Sequence, residues 1–165
     1  MKVRFTLLLI LGFSLVNAQN YETKKFFVYS FARYVVWPDE YKSGDFEIFV
    51  LGDTPFIEEL KGMAEKKKIG ERAIKVTRIS SLSEYKKCHI LILPVGQSGQ
   101  LVEALKKVGG ASTLIVTEQE GLAAKGSDIN FVQKDGKMAF ELNQAALAKH
   151  KLKAANELSR LAIAI

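Results

Sequence analysis

The segment Cys88–Leu93, an apolar run interrupted only by His89, limits the fold of this chain most strongly. A strand with apolar residues on both sides needs cover on both faces, as the inner strands of parallel sheets have. Segments with helical periodicity separate it from other candidate strands, so the sheet is predicted to be parallel in its first part. Further strands are predicted at Phe46–Leu51, Ala73–Ile79 and Thr113–Val116, with helices from about residue 55 to 67, 81–87 and 100–108.

The last third of the chain has a different pattern. Asp128–Gln133 and Lys137–Leu142 flank Lys134-Asp135-Gly136, and an Asp-Gly pair between such segments indicates a β-hairpin. A final helix is predicted from Gln144, with a core-facing stripe of Leu152, Ala155, Leu158, Ala162 and Ile165. The predicted fold is a single α/β layered domain over residues 19–165. Its sheet is mixed but mostly parallel, flanked by helices, and followed by the C-terminal hairpin and helix.

Residues 1–18 have the pattern of a secretory signal peptide. Lys2 and Arg4 precede the apolar run Phe5–Val16, and a small residue, Ala18, precedes the expected cleavage point. The alternative is an uncleaved membrane anchor, but the run is shorter than the roughly 20 residues that a spanning helix needs. We therefore expect an exported protein whose mature chain has no transmembrane segment.

The residues that could carry catalysis or bind a metal do not form a recognisable set. Ser98 lies in Gly96-Gln97-Ser98-Gly99, which lacks the glycine spacing of a nucleophile elbow. His89 is predicted to lie in the core, and His150, among lysines, to face water. Cys88 and His89 point to opposite faces of a strand, so they do not share a metal ion. The sequence predicts no enzyme, no cofactor and no metal, and the single cysteine excludes an internal disulfide.

Glu141 and Asn143 are the best-placed polar pair. They lie two residues apart on a predicted strand and face the same side, whereas Phe140 and Leu142 face the core. Glu141 and Asn143 are therefore predicted to form a polar edge where the strand ends. The simpler interpretation is that Asn143 is the N-cap of the next helix and that Glu141 pairs with a lysine.

The first helix, predicted at Glu22–Val36 and ended by Trp37-Pro38, is apolar nearly all the way round. Its second face, with Val28 and Tyr29, is predicted to meet another protein or a copy of this chain. Arg33 and Trp37, one turn apart, belong to residue types that anchor interfaces. The alternatives are a helix sunk between the sheet and the last helix, and a Trp37 that lies in the core.

Two segments resemble the YfiR-like family of small exported bacterial proteins: FARYVVWP at Phe31–Pro38 and the stretch from Met138 to Ala162. The resemblance extends from about Tyr21 to Ile163. It implies a periplasmic protein that holds an inner-membrane diguanylate cyclase inactive by binding its sensor portion, and that an outer-membrane lipoprotein can sequester. Relatives with disulfides occur in the family, but Cys88 has no partner, so disulfide control is not expected here.

The leading hypothesis is an exported regulatory protein that acts by protein–protein contact, with a homodimer left open. The alternative is a periplasmic module that binds a small solute in a cleft between Gly52–Thr54 and Pro94–Gly99. The net charge of +6 rests on lysines near predicted helix ends, so no nucleic-acid partner is expected. The predicted contact residues are Val28, Tyr29, Arg33, Trp37, Glu141, Asn143 and Arg160.

Overall fold

A computed structural model describes residues 20–165 of the chain. The predicted signal peptide, residues 1–18, lies outside the described residues. The α-helices are residues 20–34 (α1), Phe56–Lys66 (α2), Leu101–Val108 (α3), Gln144–Lys149 (α4) and Asn156–Leu161 (α5). Short 3-10 helices occupy Asp39–Tyr41, Leu82–Glu84 and Val95–Gln100.

The strands form one large sheet and one small ladder. They are Val35–Val36 (β1), Phe46–Leu51 (β2), Lys68–Ile69 (β3), Arg72–Ile79 (β4), Ile90–Leu93 (β5), Leu114–Thr117 (β6), Ile129–Lys134 (β7), Lys137–Leu142 (β8), Lys153–Ala154 (β9) and Ile163–Ala164 (β10). The large sheet has the order β10-β8-β7-β6-β5-β2-β4-β3. Strands β4, β2, β5, β6 and β7 are parallel neighbours, a doubly wound order. The predicted α/β class with a mostly parallel sheet is confirmed.

The central strands are covered on both faces, as their apolar sequences predict. Ile48 and Val50 of β2 belong to the core beneath α1 and α2, whereas Phe49 and Leu51 belong to the core beneath α3. Cys88 is also buried on the α3 side, where burial raises the pKa of its thiol and the Sγ atom donates to the Ile90 carbonyl. Its predicted role as a small buried hydrophobic residue is confirmed.

The predicted hairpin is confirmed, with a loop one residue shorter than expected. Strands β7 and β8 pair antiparallel, and Asp135 and Gly136 alone connect them. Both loop residues have left-handed backbones, with φ of 52° and 73°. A two-residue hairpin with positive φ at both positions matches the right-handed twist of the strands, and Asp-Gly adopts it readily.

The prediction of one continuous final helix is wrong. Lys151 has a φ of 57°, which ends α4, and β9 pairs antiparallel with β1 before α5 begins. The same ladder ends α1 at residue 34, so Val35 and Val36 extend as a strand rather than completing the helix. Two β-branched residues before Trp37-Pro38 favour that extended backbone. Of the predicted stripe, Leu152 and Leu158 are buried.

Candidate partner-binding surface

One face of α1 is turned away from the core. Phe26, Tyr29 and Arg33 are spaced three or four residues apart, so they lie along one side of the helix. The Phe26 side chain is 62% exposed, Arg33 is exposed and Tyr29 is half-buried. Val36, which is 53% exposed, follows at the end of β1. These four residues are called the outer stripe below.

Two cations surround Tyr29 on this stripe. The Arg33 Cζ atom lies 5.8 Å from the centroid of the Tyr29 ring and 5.2 Å from that of Tyr34. The Lys67 Nζ atom lies 5.8 Å from the Tyr29 ring, and the Tyr29 hydroxyl donates to the Lys68 carbonyl at 3.3 Å. Among residues 20–165, no carboxylate lies within 4.0 Å of the charged nitrogens of Arg33 or Lys67. The stripe therefore combines exposed apolar surface with positive charge that has no ion-pair partner among the described residues.

Two predicted contact residues, Val28 and Trp37, lie in the core instead. Val28 is completely buried because it shares the inner side of α1 with Phe31 and Ala32. Trp37 is 7% exposed, and its ring meets Phe46 edge-on at 5.2 Å between centroids. The prediction that Val28 belongs to an exposed face is wrong, and for Trp37 the alternative interpretation as a core residue is confirmed.

Glu141 and Asn143 are held by neighbours within the chain. The Asn143 Oδ1 atom accepts from the Ala146 N–H at 2.9 Å, and Nδ2 donates to the Ala123 carbonyl at 2.8 Å. Asn143 is thus the N-cap of α4, which confirms the simpler interpretation, and its amide is not free for a partner. The Glu141 Oε2 atom accepts from Asn130 Nδ2 at 3.0 Å, so its partner is an amide rather than the lysine considered above.

The C-terminal segment joins the outer stripe through the small ladder. Lys153 is opposite Val36 in the antiparallel register, and the Ala155 N–H donates to the Tyr34 carbonyl at 2.8 Å. Exposed Lys153 therefore adds a further positive charge next to the stripe. Arg160 is exposed on α5, and its contact with a partner stays a prediction.

His89 is a core histidine, as predicted. Its Nδ1 atom accepts from the Glu47 N–H at 3.0 Å, and Nε2 lies 2.7 Å from the Tyr41 carbonyl. Because Nδ1 accepts from the Glu47 N–H, the proton of the neutral ring is placed on Nε2, which donates to the Tyr41 carbonyl and is also in close contact with the Arg72 guanidinium at 2.8 Å. Burial, assisted by the nearby charges of Arg72 and Lys87, lowers the pKa of His89 to about 4.

His150 is also buried, and the prediction that it faces water is wrong. Its Nδ1 atom lies 2.9 Å from both carboxylate oxygens of Asp128, which is itself fully buried. Burial raises the pKa of Asp128, while the hydrogen bond from His150 acts in the opposite direction. The Asp128 Oδ2 atom also accepts from the Ile115 N–H at 2.7 Å, so the pair ties the end of α4 to the sheet. The sequence has no local signal for this contact between residues 22 positions apart.

The predicted cleft between the strand ends is occupied by a side chain. A Cβ atom placed on Gly52 would lie 2.5 Å from Gln97 Nε2, so Gln97 fills the space beside this glycine. Ser98 is buried, and its hydroxyl is directed at the Pro94 carbonyl 3.5 Å away. A separate pocket of about 470 Å³ lies beside the start of α2, where Asp53 and Arg78 are among its lining residues.

The family of the chain follows from its sequence as a whole. A protein-family model described as YfiR/HmsC-like matches residues 21–163, from the first turn of α1 to the first residue of β10. The chain belongs to the YfiR/HmsC-like family. The predicted resemblance is thereby confirmed. A search of curated proteins found no match.

Membership in the YfiR/HmsC-like family supports a periplasmic, regulatory and non-enzymatic role, linked in general terms to diguanylate cyclase signalling. Within residues 20–165, no helix combines the length and the apolar character needed to cross a bilayer. The same part of the chain holds no group of three or more His, Cys, Asp or Glu side chains placed to bind a metal ion.

Proposed function

We propose that this YfiR/HmsC-like protein is an exported regulator that binds a membrane sensor protein, such as a diguanylate cyclase, and restrains it. The observation that carries the proposal is the outer stripe of α1. It contains the exposed side chains of Phe26 and Val36, and its Arg33 lies against the ring of Tyr29. Exposed apolar surface beside aromatic and arginine side chains is typical of protein interfaces.

The charge of the stripe indicates what kind of surface the partner presents. Arg33 and Lys67 have no carboxylate within ion-pair distance among the described residues, and Lys153 lies opposite Val36. A partner with carboxylates around an apolar centre would complement this arrangement. Because exposed charges are screened by salt, we expect association to slow as the ionic strength rises.

Regulation of this kind needs no chemistry by the regulator. A protein that binds the inactive state of a sensor more tightly than the active state shifts the sensor toward inactivity. Moving an equilibrium from 1:99 to 99:1 takes about 5.5 kcal/mol of differential binding. Two or three interface anchors, each contributing about 2 kcal/mol, supply free energy of that size.

The test is a crosslinked pull-down of the mature protein from its native envelope. The variant Phe26→Asp/Arg33→Glu alters exposed positions of the outer stripe and is expected to lose the captured membrane protein while remaining folded. Val102→Asp/Lys106→Glu on α3 is the matched control, because both positions are exposed and Val102 is 78% exposed. Equal capture by the stripe variant and the wild type would contradict the proposal.

A second copy of this chain is the alternative partner for the same surface. Sedimentation of the purified wild type and of Phe26→Asp/Arg33→Glu separates the two cases. A wild-type dimer that the variant loses, with no sensor captured from the envelope, would assign the stripe to self-association. A monomeric wild type that still captures a membrane protein would support the regulatory contact.

A further inference from the structure

A cavity of about 530 Å³ lies beside the first turns of α1, and its lining includes neither the outer stripe nor Gly52 and Gln97. Lys24 of α1, Glu118 after β6, and Phe131, Met138 and Glu141 of the hairpin are among its lining residues. Its volume falls within the range of sites that hold small molecules, roughly 300–1,000 Å³. The predictions from sequence did not include Lys24 or Glu118.

Glu118 is the most unusual group in this cavity. Its side chain is 7% exposed, and its Oε2 atom pairs at 3.0 Å with the ammonium of Lys24, whose side chain is 12% exposed. The other oxygen, Oε1, is buried and has no hydrogen-bond partner in the part of the chain that the structure describes. A buried acceptor without a partner is destabilising, so a donor that reached it would bind favourably.

The charges around the cavity indicate whether the ligand that supplies this donor is a cation, a neutral molecule or an anion. Glu118, Glu120 and Glu141 contribute three carboxylates, against the two ammonium groups of Lys24 and Lys134. Lys24 is already paired with Glu118, and Glu141 has one oxygen engaged by Asn130. The remaining carboxylate oxygens favour a cationic ligand over a neutral or an anionic one.

The apolar part of the lining indicates the rest of the ligand. Phe131 and Met138 line the cavity, and the Lys24 Nζ atom already lies 5.9 Å from the centroid of the Phe131 ring. An aromatic face attracts cations, and both side chains offer apolar contact to a hydrocarbon group. We propose that this cavity binds a small organic cation, with its ammonium group at Glu118 and Glu141 and its apolar body against Phe131 and Met138. The inference stands apart from the proposed partner contact, because it uses none of the outer-stripe residues.

The experiment is a calorimetric titration of the mature protein with phenethylamine and, in parallel, with phenylacetate. The two probes share an aromatic ring of the same size but carry opposite charges. We expect binding of the amine and at least tenfold weaker binding of the acid. Glu118→Gln, which keeps the shape but removes the charge, is expected to weaken amine binding by at least about tenfold, because a hydrogen bond between two charged groups is stronger than one to a neutral amide.

Two further variants keep the test decisive. Glu141→Gln lies at the same cavity and is expected to weaken amine binding even if Glu118→Gln does not fold. Glu58→Gln is the matched control, because the Glu58 carboxylate is 77% exposed on α2 and lies outside the cavity. Absence of amine binding at millimolar concentration, equal binding of amine and acid, or full affinity in Glu141→Gln would each overturn the inference.

Discussion

The two faces of the central sheet are packed with different kinds of side chain. The face beneath α1 and α2 contains Phe31, Trp37, Phe46 and Phe140, with further apolar residues from α4, α5 and the loop before β9. The face beneath α3 is smaller and mostly aliphatic, with Phe49 as its one buried aromatic residue within the described chain. They are called the aromatic face and the aliphatic face below.

The difference shows which contacts are local and which join distant parts of the chain. On the aromatic face, the Phe31 ring meets Phe140 edge-on at 4.9 Å and Phe131 at 5.7 Å, so α1 packs directly on the C-terminal hairpin. The aliphatic face contains α3 between two strands that neighbour it in sequence, β5 and β6. The position of the outer stripe therefore depends on long-range aromatic packing. The aliphatic face is a scaffold, because it stabilises the sheet without contributing to the packing of α1.

The largest effect is expected for Phe140→Ala on the aromatic face. Phe140 is fully buried and contacts the rings of Phe27 and Phe31. Removing it leaves a large cavity, so the free energy of unfolding should fall by about 3–5 kcal/mol, enough to unfold a marginally stable domain. Urea denaturation measures this. A nearly unchanged midpoint would show that the hairpin does not support α1 as described.

Acid is expected to lower the free energy of unfolding through His89, which lies on the aromatic face with its ring stacked on Phe46 at 4.3 Å between centroids. Its pKa is lowered from 6.5 to about 4, so the folded state favours the neutral ring. This stability is fully present above pH 6.5 and is lost as the pH falls toward 4, by roughly 3 kcal/mol in total.

Urea denaturation between pH 7.5 and pH 4 checks this contribution, with His89→Gln as the comparison. The variant lacks the titrating ring, so its stability should fall less steeply than that of the wild type over this interval. Parallel pH profiles for the two proteins would show that His89 does not set the acid sensitivity.

A smaller effect is expected where the aromatic face is closed by α4. Asn143→Ala removes the cap at the Ala146 N–H and leaves the Ala123 carbonyl without its donor. Loss of a helix N-cap costs about 1 kcal/mol, within a range of 0.5–2 kcal/mol. Thermal unfolding would reveal it as a shift of a few degrees. Gln144→Ala, at an exposed neighbouring position, should leave the midpoint unchanged.

The effect with the lowest upper limit is expected on the aliphatic face. Ile115→Val removes one buried methyl group from β6 and should cost about 1 kcal/mol, within 0.5–1.5 kcal/mol. Unlike Phe140→Ala, it should leave capture of the membrane partner unchanged at temperatures where it is folded. Loss of capture in folded Ile115→Val would contradict the division into a scaffold face and a face that positions α1.

Much of the sheet could be predicted because its signals are local. The apolar run ending at Leu93 needs cover on both faces, and Asp135-Gly136 has the backbone preference of a tight hairpin. The cap at Asn143 is predictable because Ser, Thr, Asp and Asn serve that role by contacts within three residues. Neither the exposure of Phe26 nor the burial of Val28 has such a local signal, since α1 has apolar residues on most sides.

The amino-acid sequence by itself determined the family, the α/β class, the hairpin and the cap of α4, because each depends on residue types at short spacing. Only the tertiary structure decided that His150 is buried against Asp128, that β9 pairs with β1, and that one oxygen of Glu118 has no hydrogen-bond partner within residues 20–165. These features join residues far apart in the chain. Their free energies depend on burial and on the partner that the fold brings near, and short-range sequence patterns encode neither.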